Sequence, residues 1–214
     1  MAFGADNSGS GSPAVAAALD LPGGGLIDEL PRGYYFVPTD GEILIYLKKK
    51  IMGEPLPCDI IPTVDNVYGV APDSLPFESS MYTRGNEWFF FTIRTNSNEV
   101  MSEDGYWTTT PTAGAGGVVG LEAAAGDDEI IRNANGEVEG FKKELVYYDG
   151  VLGGNAETTC WRILEYRINP YAINNGSPNQ LSDDVKHKIA NLVICKVFVK
   201  KMRACRRRRG TRRG

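Results

Sequence analysis

Histidine is nearly absent from this chain: His187 is the single one in 214 residues. A Ser/His/Asp or Cys/His catalytic arrangement would have to be built on that one imidazole, which lies in a polar segment with no defensible partners. Cysteine is scarce too. Cys58, Cys160, Cys195 and Cys205 are far apart with no C-x-x-C pair, so a zinc finger is excluded. Most of them sit among apolar neighbours, the setting of reduced, buried thiols rather than of a disulfide framework. No apolar run approaches the about 18 residues a membrane helix needs, and the N-terminus lacks the basic start and apolar stretch of a secretory signal. The glycine-rich runs have no Lys-Ser/Thr behind them, so no phosphate loop is present. These absences argue against an enzyme and predict no cofactor, no metal, no small-molecule substrate and no membrane partner.

What is present is one good core and an uneven charge. With 42% hydrophobic and 23% charged residues, the chain can bury a single domain flanked by loose ends. The formal net charge of -4 conceals a division. From Lys200 onward stand Lys200, Lys201, Arg203, Arg206, Arg207, Arg208, Arg209, Arg212 and Arg213, with no acid among them. Subtracting those nine from the 23 basic residues leaves 14 against 27 acidic ones, so residues 1–199 carry about -13. An acidic body repels nucleic acid, and any contact with it must come from a local basic patch or from the tail. A cluster of this kind is read as a nuclear localisation signal or a nonspecific nucleic-acid clamp, carried by Lys200, Lys201, Arg206, Arg207, Arg208 and Arg209.

Along the chain, residues 1–24 are rich in Gly, Ala and Ser and read as a flexible leader, with order expected from near Leu26. A helix start follows. Thr39 lies three residues before Glu42, the capping-box spacing, and Ile43, Leu44, Tyr46, Leu47 and Ile51 form an apolar stripe that ends at Lys48, Lys49, Lys50 and Gly53. Aromatic and β-branched runs over 87–94, 105–110, 140–148, 159–168 and 192–200 read as strands. The segment DGVLGGNAET makes the third and fourth of these antiparallel neighbours. The acidic, Ala- and Gly-rich segment 111–138 reads as a mobile loop with at most a helical turn around 121–125, and it contains the acid pair Asp127 and Asp128. A polar loop through NNGSPNQ is followed by a brief helix after Ser182. The fold class is α+β, a twisted antiparallel sheet packed with a few short helices, organised as a leader (1–24), a domain (26–201) with its acidic insertion (111–138), and a basic tail (202–214).

Five blocks in order carry a resemblance. LPRGYYFVPTDGEILIYLKKKI is similar to L-P-P-G-F-R-F-x-P-T-D-E-E-L, and DIIPTVDNVYGVAPDSLP to D-I-I-x-x-V-D-x-Y-x-x-x-P-W-D-L-P, with Asp73 in place of the tryptophan. EWFFFTIR and DGYWTTT resemble E-W-Y-F-F-S-P-R and G-Y-W-K-A-T-G. VEGFKKELVYYDG with TTCWRILEYRI, and finally ANLVICKVFVKK, complete the series. The chain thus resembles the plant NAC domain of transcription factors over roughly residues 30–201.

That resemblance implies a twisted antiparallel sheet between helices, a dimer, and a strand edge entering the major groove of double-stranded DNA in the nucleus. It implies DNA contacts at Arg94, Tyr106, Thr108, Lys142 and Lys143, with Tyr106 and Thr108 facing the DNA by alternation and Trp107 in the core. It places the dimer interface, with a second copy or another NAC protein, at Leu30, Pro31, Gly33, Tyr35 and Glu42. Several positions depart from the family pattern. Thr108 replaces the groove lysine, Tyr35 replaces the arginine that would pair with Glu42, and TNSNEVMSED, with three acids and no base, replaces a basic loop. Lys142 and Lys143 are adjacent on a strand, so only one of them can face a given surface. Two functions follow: a DNA-binding transcription factor, or a NAC-like interaction protein that pairs with intact family members and modulates them. The short sequence beyond the closing motif is a further reason for weighing the second.

Overall fold

Thr39 starts the first helix by the mechanism its spacing predicts. In the computed structural model, the Thr39 hydroxyl oxygen accepts from the Glu42 amide at 3.3 Å, and Glu42 Oε2 accepts from the Thr39 amide at 2.7 Å. Helix α1 then runs Asp40–Met52 and ends at Gly53, whose φ of 71° suits glycine and whose amide reaches the Lys49 and Lys50 carbonyls. Its buried residues are Ile43, Leu44, Tyr46, Leu47 and Ile51, the predicted stripe. Thr39→Ala removes one half of the capping box and is expected to lower stability by about 1 kcal/mol in a urea titration. An unchanged midpoint would show that the cap contributes nothing.

The structure describes residues 35–79, 85–94, 99–102, 104–109, 128–173 and 181–200. The predicted leader, Leu30, Pro31, Gly33, the turn around 121–125 and the tail from Lys201 onward lie outside them. Seven strands form one sheet: β1 (Glu87–Ile93), β2 (Glu99–Met101), β3 (Gly105–Thr109), β4 (Glu129–Arg132), β5 (Val138–Asp149), β6 (Glu157–Ile168) and β7 (Leu192–Val199). All pairings between them are antiparallel, in the order β1-β7-β6-β5-β3-β2, with β4 also paired to β5. Helix α2 (Asp183–Asn191) starts at Ser182, as predicted, and leads directly into β7. The α+β class and the β5–β6 hairpin are as the sequence implies.

Each face of the sheet has its own core. On the helix face, Phe89, Phe91, Tyr166, Ile168 and Ile194 pack with the stripe of α1. Gly140 of β5 leaves room for the neighbouring strand and for that helix, because a Cβ there would strike the Arg167 carbonyl oxygen of β6 and lie 2.8 Å from the Leu44 side chain. On the far face, Phe90, Trp107, Leu145, Ile163 and Val193 pack beneath Val67, Tyr68 and Leu75. Trp107 is fully buried, the packing role expected of a tryptophan between aromatic strands.

Four expectations are corrected. The supposed loop 111–138 contains β4, because Ile130 and Ile131 precede an Asn135-Gly136 turn, with Gly136 at φ 83°, that returns the chain onto β5. The segment that replaces the family's basic loop contributes β2. That strand pairs with β3, so β3 is an inner strand and not the free edge expected for groove insertion. Finally, Cys160 is disulfide-bonded whereas Cys58 and Cys195 are free thiols. Spacing along the chain carries no information on which cysteine meets a partner in space.

Candidate nucleic-acid interface

Strand alternation separates the predicted DNA-binding residues onto two faces. Lys142 lies on the helix face, where its ammonium meets Asp40 of α1 at 2.7 Å and Glu129 of β4 at 3.0 Å. Burial pulls the Lys142 pKa down, but the hydrogen bonds its ammonium donates to these two carboxylates outweigh it and hold the pKa above its ordinary value. Asp40 also accepts from the Tyr166 hydroxyl at 2.8 Å, so Lys142 and Tyr166 together tie the start of α1 to the sheet.

Lys143 lies on the far face, opposite Glu165 of β6. Burial, together with the nearby Arg94 and Arg167 guanidiniums, lowers its pKa; Glu165 and Asp128 act in the opposite direction. The geometry at Glu165 explains this crowding. Glu165 is only 4% exposed, and its Oε1 lies 3.2 Å from Arg94 Nε and 3.6 Å from Arg167 Nε. Both contacts are poorly aligned, so the two N–H groups are buried without a directed acceptor and the attraction is one of charge. Glu165 Oε2 accepts a short hydrogen bond from the buried Tyr68 hydroxyl, which in turn accepts from the Cys195 thiol at 3.1 Å. Burial pushes the pKa values of both Tyr68 and Cys195 well up, which keeps them protonated. Arg167 also pairs with Asp128, and its guanidinium lies over the Phe141 ring, 5.6 Å from the centroid.

Tyr106 and Thr108 lie on the helix side of β3, remote in register from this cluster: they pair with Tyr148 and Val146 of β5. The Tyr106 ring is buried and stacks on Tyr148 with centroids 5.3 Å apart, whereas Thr108 is half-buried opposite Glu99. The structure therefore brings Arg94 and Lys143 together and leaves Lys142, Tyr106 and Thr108 on the other face. Among the dimer positions, Tyr35 is 59% exposed and Glu42 caps α1. Of the tail residues, Lys200 alone falls within the described residues, and it pairs with Glu144 at 3.4 Å.

Two members of the far-face cluster, Glu165 and Arg167, are missing from the sequence-based set. They stand two apart in TCWRILEYRI and so share a strand face, which is the signal that could have found them. Arg162 of the same strand turns the other way and is consumed internally. It donates to the Thr159 and Trp161 carbonyls at 2.6 and 2.8 Å. Among the described residues no group of three or more His, Cys, Asp or Glu is placed to hold a metal ion, and no helix is long and apolar enough to cross a membrane.

Comparison with known proteins bears on the same segments. Residues 31–168 match the family described as No apical meristem (NAM) protein. The chain is 31% identical over 185 residues to NAC domain-containing protein 78 of Arabidopsis thaliana, covering 83% of this chain and 28% of that protein. It is 32% identical over 180 residues to NAC domain-containing protein 1 of Solanum lycopersicum, covering 83% and 57%. To NAC transcription factor 25 of Arabidopsis thaliana it is 32% identical over 181 residues, covering 80% and 50%. The chain thus spans between about a quarter and somewhat over half the length of these relatives.

Proposed function

The chain belongs to the NAC domain family of plant proteins, and from that premise we propose that it is a sequence-specific DNA-binding regulator of transcription, acting in the nucleus as a dimer. The observation that carries this reading furthest is the convergence of Arg94, Lys143 and Arg167 at one end of the far face, a cationic cluster on an otherwise acidic body. On this reading Arg94 and Lys143 hold phosphates and the basic tail adds nonspecific affinity and a nuclear address, whereas the buried Tyr106 and half-buried Thr108 lie on the other face of the sheet, away from that surface. Lys142, already engaged by two carboxylates, anchors α1 to the sheet. The exposed apolar groups of Tyr35, Val37 and Ile45 support a partner chain beside the start of α1, with Leu30, Pro31, Gly33 and Glu42 contributing to it.

A second reading is favoured by the neutralisation inside the cluster. Arg94 and Arg167 already share Glu165, Asp128 takes Arg167, and Thr108 brings no charge. A domain so compensated would pair with intact NAC proteins and modulate them. Selection of bound duplexes from a random library with the full chain separates the two. Enrichment of a defined site supports direct reading of DNA, and no enrichment at low salt, together with capture of another NAC protein, replaces it by the second. Lys143→Gln is expected to weaken binding to the selected duplex by about three- to tenfold and to flatten its salt dependence by roughly one unit of log-log slope. An anisotropy titration that shows no change in either quantity would remove Lys143 from the interface.

A further inference from the structure

We propose that Cys160 and Cys205 form a reversible disulfide that fastens the basic tail to β6 and holds its arginines back from polyanionic partners. The chain has four cysteines. Cys58 and Cys195 are free thiols and Cys160 is disulfide-bonded, so Cys205, outside the described residues, is the cysteine left to pair with it. The end of the sheet supports that pairing. The Lys200 amide donates to the Cys160 carbonyl at 2.9 Å, and Lys200 Nζ meets Glu144 of β5 at 3.4 Å, so the chain leaves β7 beside Cys160. Cys205 follows five residues after Lys200. That segment spans at most about 17 Å when extended and can turn back to the roughly 4.4–6.8 Å between Cα atoms that a disulfide needs.

The sequence around Cys205 makes it the reactive partner. Arg203, Arg206, Arg207, Arg208 and Arg209 surround it without an acid, and neighbouring cations favour the thiolate, the form that reacts. The free cysteines are poor competitors. Cys195 is fully buried with its thiol donating to Tyr68, and burial, with the Asp59 carboxylate beside it, pushes the Cys58 thiol up. Cys160 packs in neither of the two cores, on the same face of β6 as Arg162. Hydrogen peroxide oxidises the Cys205 thiolate to a sulfenic acid, and the Cys160 thiol attacks that sulfur, forming the S–S bond and releasing water. Two thiols and one peroxide thus give one disulfide and two waters. Two glutathione molecules reverse the step and leave as one glutathione disulfide. The closed bond holds Arg206 within about one screening length of the sheet. The body it is held against carries about -13 and competes with any polyanion for the arginine run.

The effect on partners rests on the tail as a polyanion-binding segment, whereas the bond itself is read without any duplex. The full chain is oxidised with hydrogen peroxide, its free thiols are alkylated, and it is digested with trypsin without reductant. The expected product joins the peptide of residues 144–162 to that of residues 204–206 and disappears after glutathione treatment. The reduced chain should bind a labelled heparin oligosaccharide about tenfold more tightly than the oxidised chain at low salt. Cys205→Ser, a change beyond β7 that leaves both cores intact, should bind like the reduced chain with or without reductant. Linkage of Cys160 to Cys58, to Cys195 or to a second copy overturns the pairing, as does the absence of any linkage. Equal heparin binding by the oxidised and reduced chains, or a response to reductant that persists in Cys205→Ser, overturns the control of the tail. Heparin binding that does not fall when Arg206, Arg207, Arg208 and Arg209 are replaced by serine would instead remove the polyanion-binding role of the tail, an outcome the peptide map keeps separate.

Discussion

Glu165→Ala is expected to destabilise the domain by about 3–5 kcal/mol, because it removes the one buried carboxylate that two guanidiniums and a phenol share. Assembling buried charges gains little over an apolar core, but deleting one partner leaves the others desolvated and uncompensated. Here Arg94 is left without its carboxylate, Arg167 keeps only Asp128, Lys143 stands beside them, and the Tyr68 hydroxyl loses its acceptor. Glu165→Gln keeps the shape and a carbonyl for Tyr68, and should therefore cost less than the alanine. Tyr68→Phe leaves one carboxylate oxygen and the Cys195 thiol without their partner, at a cost of about 1–3 kcal/mol. The double change Glu165→Leu with Arg167→Leu should recover part of the loss, a coupling that a double-mutant cycle in urea measures directly. If Glu165→Ala shifted the unfolding free energy by less than about 1 kcal/mol, the cluster would not be held by charge as argued.

The cluster also shows where reading the sequence stopped. Helix α1 was legible to its last buried residue because a capping box, an apolar stripe and a terminal glycine are all local signals. Five strands were legible for the same reason, and the ends of their predicted runs differ from the observed ones by at most two residues. Two were not. Strand β2 has three residues and exists through its pairing with β3, a partner that local propensity does not see. Strand β4 was hidden by the composition of the segment around it, although Ile130, Ile131 and the Asn135-Gly136 turn form a hairpin signal.

The site suffered from the same locality. Alternation along β5 states that Lys142 and Lys143 face opposite ways, yet Asp40, the carboxylate that engages Lys142, stands 102 residues earlier. Sequence spacing cannot supply such a partner, and it cannot tell an anchoring lysine from one facing a ligand. Arg94 could be singled out from the resemblance, but its neighbours Arg167 and Glu165 come from a strand two places away in the sheet. The cationic character of that corner is therefore a product of topology and not of any one motif.

Replacing Arg206, Arg207, Arg208 and Arg209 by serine in the full chain should weaken binding to a scrambled duplex by on the order of a hundredfold at low salt. It should also flatten the log-log salt dependence by about 3–4 units, the release of counterions from four fewer phosphates. The effect is expected to be this large because residues 1–199 carry about -13, so the body contributes repulsion over the screening length rather than a second source of affinity. Preference for a selected duplex over the scrambled one should survive, since a cluster of guanidiniums on phosphates raises affinity for every sequence equally. Anisotropy titrations of the two duplexes across a salt series read both quantities at once. A slope unchanged by the four substitutions would mean that the tail does not meet the backbone, and nonspecific affinity would then have to come from Arg94 and Lys143. A preference that vanished with the arginines would mean that the folded sheet reads no sequence, which returns the domain to the role of a partner for other NAC proteins.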